Sequence, residues 1–246
     1  MGKIYYVMGK SATGKDTIFT RLLEECPKTN RITLYTTRPR RDEEKEGIQY
    51  NYVTEEELSV FEQENRLIEK RTYQTVHGPW TYATVDDHLK ERLEARNFLI
   101  IGTLESFKKI KAYFGEDVVI PIYIQVDPGI RLQRAINREF MQKRPRYAEM
   151  CRRFLADEED FSEEKLKEAG IKKRYINENL NRCVEEIKAD KVPALLVYNK
   201  IDLLENVAPH TEYDDENKPV AVYLSAHLGE GLDLLLEAIK VRLKNE

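Results

Sequence analysis

The chain has 246 residues, of which 41% are hydrophobic and 34% are charged, and its formal net charge is −4. This length suits one large domain with a small addition, and the negative charge argues against broad electrostatic binding to nucleic acid or to a membrane surface. No apolar run approaches the length of a membrane span, and the chain enters a strand-like run at once, which leaves no room for a signal peptide. Because its three cysteines lack metal-site spacing, reduced thiols and a cytoplasmic location are expected.

The first element is a short apolar strand over 4–8, followed by a glycine-rich turn and a helix with apolar spacing. The turn has the G-x4-G-K spacing of a phosphate-binding loop. Its glycines let the backbone wrap an anion, so that successive N–H groups and the helix N-terminus face it. The sequence therefore predicts nucleotide binding here, the alternative being a chance glycine turn before a helix. The phosphate-binding candidates are Gly9, Ser11, Thr13, Gly14, Lys15, Asp16 and Thr17.

One position of this loop departs from the motif. Asp16 stands where the motif has Ser or Thr as a magnesium ligand. Its carboxylate, or the hydroxyl of Thr17, could supply the oxygen that Mg2+ prefers. We therefore expect Mg2+ as the cofactor, with Asp16 and Thr17 as its candidate protein ligands.

The following elements alternate between strands and helices. Strands are predicted over 31–35, 48–53, 67–75, 80–85, 98–102 and 118–126. Helices are predicted over 54–65, 86–95 and 106–114, and residues 127–189 are mostly helical. The first of these helices starts with capping-box spacing, Thr54 to Glu57. Strands without polar alternation, separated by helices, predict an α/β fold whose central, mainly parallel sheet is covered on both faces.

Two groups of arginines could bind phosphate, because guanidinium forks grip phosphate oxygens in pairs. The first group, beside tyrosines, is Arg38, Arg40 and Arg41. The second flanks a proline break and could close as a mobile lid; it contains Arg131, Arg134, Arg138, Arg144, Arg146, Arg152 and Arg153. The alternative for both groups is a solvated surface. For the second group, the residue types alone favour a helix whose arginines form salt bridges on its surface.

Taken together and in chain order, the phosphate loop, the strands and helices and the two arginine groups resemble the guanylate kinase family over about residues 1–190. The most specific match is T-T-R-x-x-R, from Thr36 to Arg41, followed by Gly47 and Tyr50. The resemblance implies a P-loop NTPase three-layer fold with an acceptor-binding region at about 35–85 and a helical lid at about 128–165. It also implies transfer of the γ-phosphoryl group of ATP or GTP to GMP.

The resemblance assigns roles to individual residues. The implied acceptor-binding residues are Arg38, Arg41, Tyr50 and Tyr82 at the phosphate, and Glu69, Thr84 and Thr103 at the base. The implied catalytic residues, which would act on the transferring phosphates, are Lys15, Arg134, Arg138 and Arg153.

Two further positions depart from the family pattern. Leu34 stands where the family usually has a serine that touches GMP, and Thr103 stands where it has an acidic residue near the base. Glu105, two residues on, is a candidate replacement for the missing acid. With these departures, a folded body that binds nucleotide or a protein partner without turnover remains an alternative.

The chain continues beyond the kinase-like part. A strand over 192–198 leads into N-K-x-D, a second strand over 220–224 leads into S-A, and an amphipathic helix follows over 232–243. This segment resembles the end of a Ras-like GTPase of the HflX type. The resemblance implies guanine contacts and, by analogy alone, a ribosome contact; the guanine-binding candidates are Asn199, Lys200, Asp202, Ser225 and Ala226.

The segment 191–246 has no phosphate loop of its own, and no D-x-x-G lies suitably upstream. Two strands and a helix are marginal as an independent domain. We therefore expect the segment to pack on the body and its strands to extend the sheet beyond 118–126, near the base of a nucleotide on the phosphate loop. A junction near 189–192 indicates a gene fusion or an engineered chimera. The alternatives are a guanine-nucleotide binder or GTPase, and a chimera whose halves do not cooperate.

Overall fold

The computed structural model describes residues 2–41, 44–75, 78–191, 196–204, 206–213 and 217–244. The chain divides into two compact units, Met1–Ile187 and Lys188–Glu246. Residues 42–43, in an acidic segment, and residues 76–77, between two predicted strands, lie outside the described residues, as do residues 192–195 of the strand predicted over 192–198. The predicted packing of the C-terminal segment on the body stays a prediction.

The first unit contains alternating strands and helices. Its strands are Ile4–Met8 (β1), Thr29–Arg31 (β2), Leu34–Thr36 (β3), Tyr50–Tyr52 (β4), Leu67–Thr75 (β5), Gly78–Val85 (β6), Asn97–Gly102 (β7), Val119–Gln125 (β8) and Tyr175–Ile176 (β9). Its helices are Lys15–Glu25 (α1), Glu55–Gln63 (α2), Leu89–Arg92 (α3), Leu104–Phe114 (α4), Pro128–Phe140 (α5), Tyr147–Asp160 (α6), Glu163–Glu168 (α7) and Leu180–Lys191 (α8), the last of which crosses into the second unit.

A central sheet of five strands has the order β2-β7-β1-β8-β9, and every neighbouring pair is parallel. Successive residues of β1 face opposite sides of the sheet. Tyr6 packs on one side with Phe107 of α4, whereas Val7 packs on the other with Ile18 of α1. Apolar residues on both faces explain why β1 shows no polar alternation. The predicted α/β fold with a central parallel sheet is confirmed.

A second sheet of the first unit has the order β4-β3-β6-β5, and its pairs are antiparallel except for β3 with β4. The prediction of a single strand over 31–35 is wrong, because the structure has two strands, β2 and β3, in this region. The chain leaves the central sheet after β2 and enters the second sheet at β3, so Ile32 and Thr33 connect the two. A short apolar run does not reveal such a change of sheet.

The helix predicted over 86–95 is also longer than the observed one. Asp86 accepts a hydrogen bond from the backbone N–H of Leu89 at 2.8 Å, and His88 has a left-handed φ of 54°. These features belong to the turn that precedes α3, so regular helix is confined to Leu89–Arg92.

The second unit has its own sheet. Its elements are Leu196–Tyr198 (β10), a 3₁₀ turn at Ile201–Leu203, His210–Tyr213 (β11), Pro219–Tyr223 (β12) and Leu232–Lys244 (α9). The strand order is β10-β12-β11, with β10 parallel and β11 antiparallel to β12. Val222 and Leu224 pack with Ala238 of α9 in a small core.

The prediction that the C-terminal strands extend the central sheet is wrong. The strand hydrogen-bonded to β8 beyond β1 is β9, while β12 pairs with β10 and β11. The strand β11, which the sequence does not predict, completes this separate sheet. The hypothesis that Asn199 and Asp202 reach the base of a nucleotide on the phosphate loop stays a prediction.

Among the described residues, no helix is long and apolar enough to cross a membrane.

The capping box predicted at the start of α2 is present. The Thr54 hydroxyl accepts from the Glu57 backbone N–H at 3.1 Å, and the Glu57 carboxylate accepts from the Thr54 backbone N–H at 2.8 Å. We expect Thr54→Ala to lower the free energy of unfolding of the first unit by about 1 kcal/mol, because the backbone N–H of Glu57 in the first turn of the helix loses its partner. Urea unfolding followed by the fluorescence of Trp80, the single tryptophan, measures this unit alone.

The matched control is Ser59→Ala. Ser59 lies exposed on the same helix and donates only to the carbonyl of Glu55, so we expect a change within about 0.5 kcal/mol. Equal effects of the two substitutions would contradict a stabilising role of the cap.

Candidate active site

The phosphate loop connects β1 to α1, and its two glycines are required by the backbone path. An added Cβ on Gly9 would come within 2.5 Å of the carbonyl oxygen of Ile124. Gly14 has a left-handed φ of 81°, and a Cβ there would lie 2.6 Å from the side-chain nitrogen of Asn177. The local geometry therefore has the close approach and the turn that a phosphate-binding loop needs.

Two hydrogen bonds brace the loop. The Thr13 hydroxyl donates to the Lys10 carbonyl, and the Asn177 side-chain amide donates to the Thr13 carbonyl, both at 2.8 Å. Arg134 of α5 in turn donates to the Asn177 carbonyl at 3.0 Å. Asn177 was not predicted as a site residue, since no local pattern indicates a contact across 164 positions.

Lys15, Asp16 and Thr17 form the first turn of α1, the end of the helix that attracts anions. The Lys15 ammonium lies 3.7 Å from the Asp16 carboxylate, and the Asp16 side chain is 84% exposed. Within the described residues, no group of three His, Cys, Asp or Glu side chains could hold a metal ion. Mg2+ that binds phosphates needs only one or two protein oxygens besides water. The exposed oxygens of Asp16 and Thr17 fit that requirement.

Helix α6 places two carboxylates against the phosphate loop. Asp157 accepts a hydrogen bond from the Ser11 backbone N–H at 2.7 Å. Glu158 bridges two cations, Lys10 and Arg131, at 2.5 Å each. Because amides of such a loop bind phosphate oxygens, Asp157 occupies a position suited to a phosphate. Neither carboxylate was predicted as a site residue.

Arg131 of α5 is almost completely buried. It is 1% exposed, and its guanidinium carbon lies 4.0 Å from the ring centre of Phe154. Its Nε and Nη1 atoms have no hydrogen-bond partner in the part of the chain that the structure describes. Arg131, Lys10 and Thr13 line a cavity of about 210 Å³. This space is large and polar enough for water to satisfy the unpaired donors.

The three predicted lid arginines lie in different surroundings. Arg134 is linked to the phosphate loop through Asn177. Arg138 is exposed near the end of α5, and Arg153 of α6 is 51% exposed and donates to Glu149 at 3.0 Å. The structure therefore connects one of the three to the loop, and the ion pair on α6 matches the alternative of a salt-bridged surface.

The second sheet gathers predicted acceptor residues on one face. Leu34 pairs with Tyr50 across β3 and β4, and Thr36 pairs with Tyr82 across β3 and β6. Since alternate residues share a face, these four side chains lie on the same side. The rings of Tyr50 and Tyr82 meet edge to face at 5.6 Å, and Tyr73 meets Tyr82 at 5.9 Å. Leu34 leaves an apolar surface beside this aromatic cluster.

Arg38 lies at one end of this face and is 4% exposed. Its guanidinium carbon lies 5.5 Å from the ring centre of Tyr50 and 5.8 Å from that of Tyr52. One terminal nitrogen donates to both carboxylate oxygens of Glu44, at 2.7 and 2.9 Å. Glu44 also accepts from the Arg41 backbone N–H at 2.9 Å. A carboxylate of the protein therefore already holds the predicted acceptor-phosphate arginine, whereas the Arg41 side chain is exposed.

The hydrogen bond from Arg38 holds the pKa of Glu44 well below its usual range, at about 2. Because the folded-state pKa is depressed, the stabilisation from this pair is complete above the ordinary carboxyl pKa. It is lost as the pH falls toward 2.

The other end of the face carries the predicted base-reading residues. The Thr84 hydroxyl donates to one oxygen of Glu69 at 2.9 Å, and Nε of Arg71 donates to the other at 3.0 Å. Nη1 of Arg71 donates to the Thr103 hydroxyl at 2.9 Å. The structure thus brings Glu69, Thr84 and Thr103 together, and it adds Arg71, which was not predicted.

Glu105 was suggested as a replacement for the missing acid at position 103. Its side chain is 66% exposed and pairs with Lys109 at 2.7 Å, and that contact lowers the pKa of Glu105. Glu105 and Thr103 both line a cavity of about 390 Å³, which also includes Tyr73.

In the second unit, the N-K-x-D and S-A segments come together. The side-chain oxygen of Asn199 accepts from the backbone N–H groups of Lys200 and Ala226, at 2.8 and 3.0 Å. The Ser225 hydroxyl donates to the Asp202 carboxylate. Lys200 has a left-handed φ of 64° at the start of the 3₁₀ turn. The five predicted guanine-binding residues therefore form one local cluster.

Residues 1–163 match the sequence model of a family described as guanylate kinase. The chain belongs to the guanylate kinase family. The guanylate kinase of Salinibacter ruber (strain DSM 13855 / M31) is 27% identical over 147 residues, which cover 57% of this chain and 76% of that protein. The crystal structure of guanylate kinase from Anaplasma phagocytophilum has a TM-score of 0.53 and 17% identity, with 77% of this chain and 84% of that one covered. It shows a shared fold.

A second similarity concerns a shorter part of the chain. The GTPase HflX of Escherichia coli (strain K12) is 48% identical over 69 residues, which cover 28% of this chain. The chain spans only 16% of the length of that protein. Both resemblances predicted from the sequence are confirmed, and the combination agrees with a fusion.

The carboxylate of Asp157 should compete with a phosphate for the Ser11 N–H. Asp157→Asn removes the negative charge and keeps the size, so we expect the affinity for Mg-ATP, measured by isothermal titration calorimetry, to rise roughly tenfold.

Glu159→Gln is the matched control, because it makes the same charge change at an exposed position of the same helix. We expect it to change the affinity less than about twofold, since exposed charges are screened. Equal affinities for the two variants would show that Asp157 does not compete with nucleotide.

Proposed function

We propose that the first unit is a nucleoside monophosphate kinase that transfers the γ-phosphoryl group of ATP or GTP to GMP. The observation that carries this proposal is the family match over residues 1–163. That range includes both the braced phosphate loop and the face on which Arg38, Tyr50 and Tyr82 meet. A cytoplasmic location is part of the proposal and agrees with the free cysteines found among the described residues.

The donor triphosphate binds at the phosphate loop. The loop amides and the N-terminus of α1 bind its phosphate oxygens, and Lys15 supplies a cation that can follow the terminal phosphate. Asp157 and Glu158 move off the loop when the triphosphate enters, because two anions cannot share the same N–H and ammonium donors.

The acceptor phosphate binds at Arg38 by exchange with Glu44. Arg38 already lies close to the rings of Tyr50 and Tyr52, so its guanidinium is oriented before the ligand arrives. The phosphate replaces the Glu44 carboxylate and receives further hydrogen bonds from Tyr50, Tyr82 and the exposed Arg41. The base then lies toward Glu69, Thr84 and Thr103.

The reaction is an in-line displacement. An oxygen of the acceptor phosphate attacks the γ-phosphorus. The bond between that phosphorus and its bridging oxygen breaks, and the donor leaves as a nucleoside diphosphate. Arg134, with Arg138 and Arg153 after closure of α5 and α6, neutralises the charge on the transferring group. Mg2+, held by Asp16 or Thr17, would supply further charge neutralisation when bound.

Arg38→Lys tests the acceptor site. Lysine keeps the charge and loses the planar fork, so we expect kcat/KM for GMP to fall by about 10- to 100-fold, corresponding to about 1.5–3 kcal/mol for charged hydrogen bonds. The KM for the donor should stay unchanged. A coupled assay that follows formation of nucleoside diphosphate measures both kcat/KM for GMP and the KM for the donor.

Arg40→Lys is the control, because Arg40 is an exposed neighbour of the same charge. We expect its kinetics to match those of the unsubstituted chain. If the unsubstituted chain forms no nucleoside diphosphate with any nucleoside monophosphate tested, the proposed reaction is excluded.

A second candidate function is guanine-nucleotide binding by the second unit. The observation that favours it is the local cluster in which Asn199 joins Ala226 and Ser225 joins Asp202. In this proposal the Asp202 carboxylate accepts hydrogen bonds from the N–H groups of guanine, and the Ala226 region supplies a backbone N–H.

We expect Asp202→Asn in the full chain to reduce its preference for GTP over ATP by about 1–3 kcal/mol, since a guanine N–H then meets an amide donor. Competition titrations with both nucleotides measure this preference. Asp233→Asn, an equal charge change at an exposed position of α9, should leave it unchanged. An unchanged preference in Asp202→Asn would rule out base recognition by this cluster.

A further inference from the structure

Glu69 and Arg71 form a buried ion pair on one face of β5. They are two residues apart, so their side chains lie side by side. The Glu69 side chain is fully buried and that of Arg71 is 12% exposed, with 3.0 Å between Nε and the carboxylate oxygen. A buried pair of this kind is held in one geometry by its surroundings, which here are the hydroxyls of Thr84 and Thr103.

Both members of the pair keep unused hydrogen-bonding capacity. Each Glu69 oxygen accepts one hydrogen bond from a side chain, although a carboxylate oxygen can accept two. Nε and Nη1 of Arg71 are engaged, whereas Nη2 has no hydrogen-bond partner within the described residues. The pair therefore presents a charged acceptor directly beside a charged donor.

A cavity adjoins the hydroxyl to which Arg71 donates. Thr103, the partner of Arg71, lines the cavity of about 390 Å³ together with Tyr73. This volume is within the range of small-molecule sites. On the same sheet face, Tyr82 is the cross-strand neighbour of Arg71, so an aromatic ring lies beside the ion pair.

We propose that Arg71 is a specificity-determining residue that reads, together with Glu69, the lactam edge of the acceptor base. A lactam edge has an N–H beside a C=O, as in guanine, hypoxanthine and uracil. The N–H donates to Glu69 and the carbonyl oxygen accepts from Arg71. This inference rests on the proposed kinase function, and it adds a residue that reads the carbonyl oxygen.

The same pair rejects bases with an amidine edge. Adenine and cytosine present an amino group where guanine and uracil present a carbonyl oxygen. An amino group would face the Arg71 donor, and a ring nitrogen with a lone pair would face the Glu69 carboxylate. The free Nη2 donor of Arg71 and the free lone pair of Glu69 would then each face a group of the same kind, and such mismatched buried polar groups give polar sites their strongest discrimination.

The test compares GMP with 2,6-diaminopurine riboside monophosphate, which keeps the 2-amino group and replaces only the lactam edge. Equilibrium binding is measured by calorimetry in the full chain. We expect the unsubstituted chain to bind GMP at least 10-fold more tightly than the diaminopurine analogue. Arg71→Met should reduce this ratio at least 10-fold, because the donor to the carbonyl oxygen is gone.

Lys70→Met is the matched control. Lys70 is the adjacent residue of β5 and points to the opposite face, where it pairs with Glu62. We expect it to keep the full preference for GMP. Since Arg71→Met leaves a buried carboxylate unpaired and could unfold the chain, Glu69→Gln/Arg71→Met, which removes both charges, is measured in parallel. It should also lose the preference.

The outcomes separate this inference from the proposed function. Selective binding of GMP that depends on Arg71, without phosphoryl transfer, would support the inference and refute the kinase function. Phosphoryl transfer to GMP with a preference that survives Arg71→Met and the double variant would refute the inference. Equal affinity of the unsubstituted chain for GMP and the diaminopurine analogue, or no binding of either, would also refute it.

Discussion

In the first unit, groups suited to bind phosphate are paired with carboxylates of the protein itself. Glu44 holds the buried Arg38, and Asp157 accepts from the backbone N–H of Ser11. Buried cations and polar donors without partners are unfavourable, so a buried anion-binding group needs another partner, such as a carboxylate or water, while no phosphate is bound. The structure meets this requirement with residues on two segments, the loop before β4 and helix α6.

This arrangement makes ligand binding an exchange of anions. The net affinity depends on how much better a phosphate fits than the carboxylate that it replaces, and a phosphate carries more charge and more acceptor oxygens than a carboxylate. Because Glu44 and Asp157 lie on different segments, donor and acceptor would each release a different part of the chain. The order in which donor and acceptor bind would then depend on which of these two carboxylates is displaced first.

The sequence predicted the features that depend on neighbours along the chain. The spacing of Gly9 and Gly14 predicted the loop, and Thr54 with Glu57 predicted the start of α2, because turns and caps are built from adjacent residues. The roles of Asp157 and Asn177 could not be predicted, since their partners lie 146 and 164 positions away. A carboxylate in a charged helix has the same local pattern whether it faces solvent or a loop amide.

The brace between Asn177 and Thr13 also restricts where a foreign segment could be joined to this kinase fold. The chain must pass through β9 to place Asn177 under the loop, and then through α8, whose Val184 packs against the same face of the sheet as Ile18. A junction upstream of β9 would keep every motif of the phosphate loop and remove the hydrogen bond from Asn177 to Thr13. A fusion that retains this brace therefore joins the two parts after Asn177.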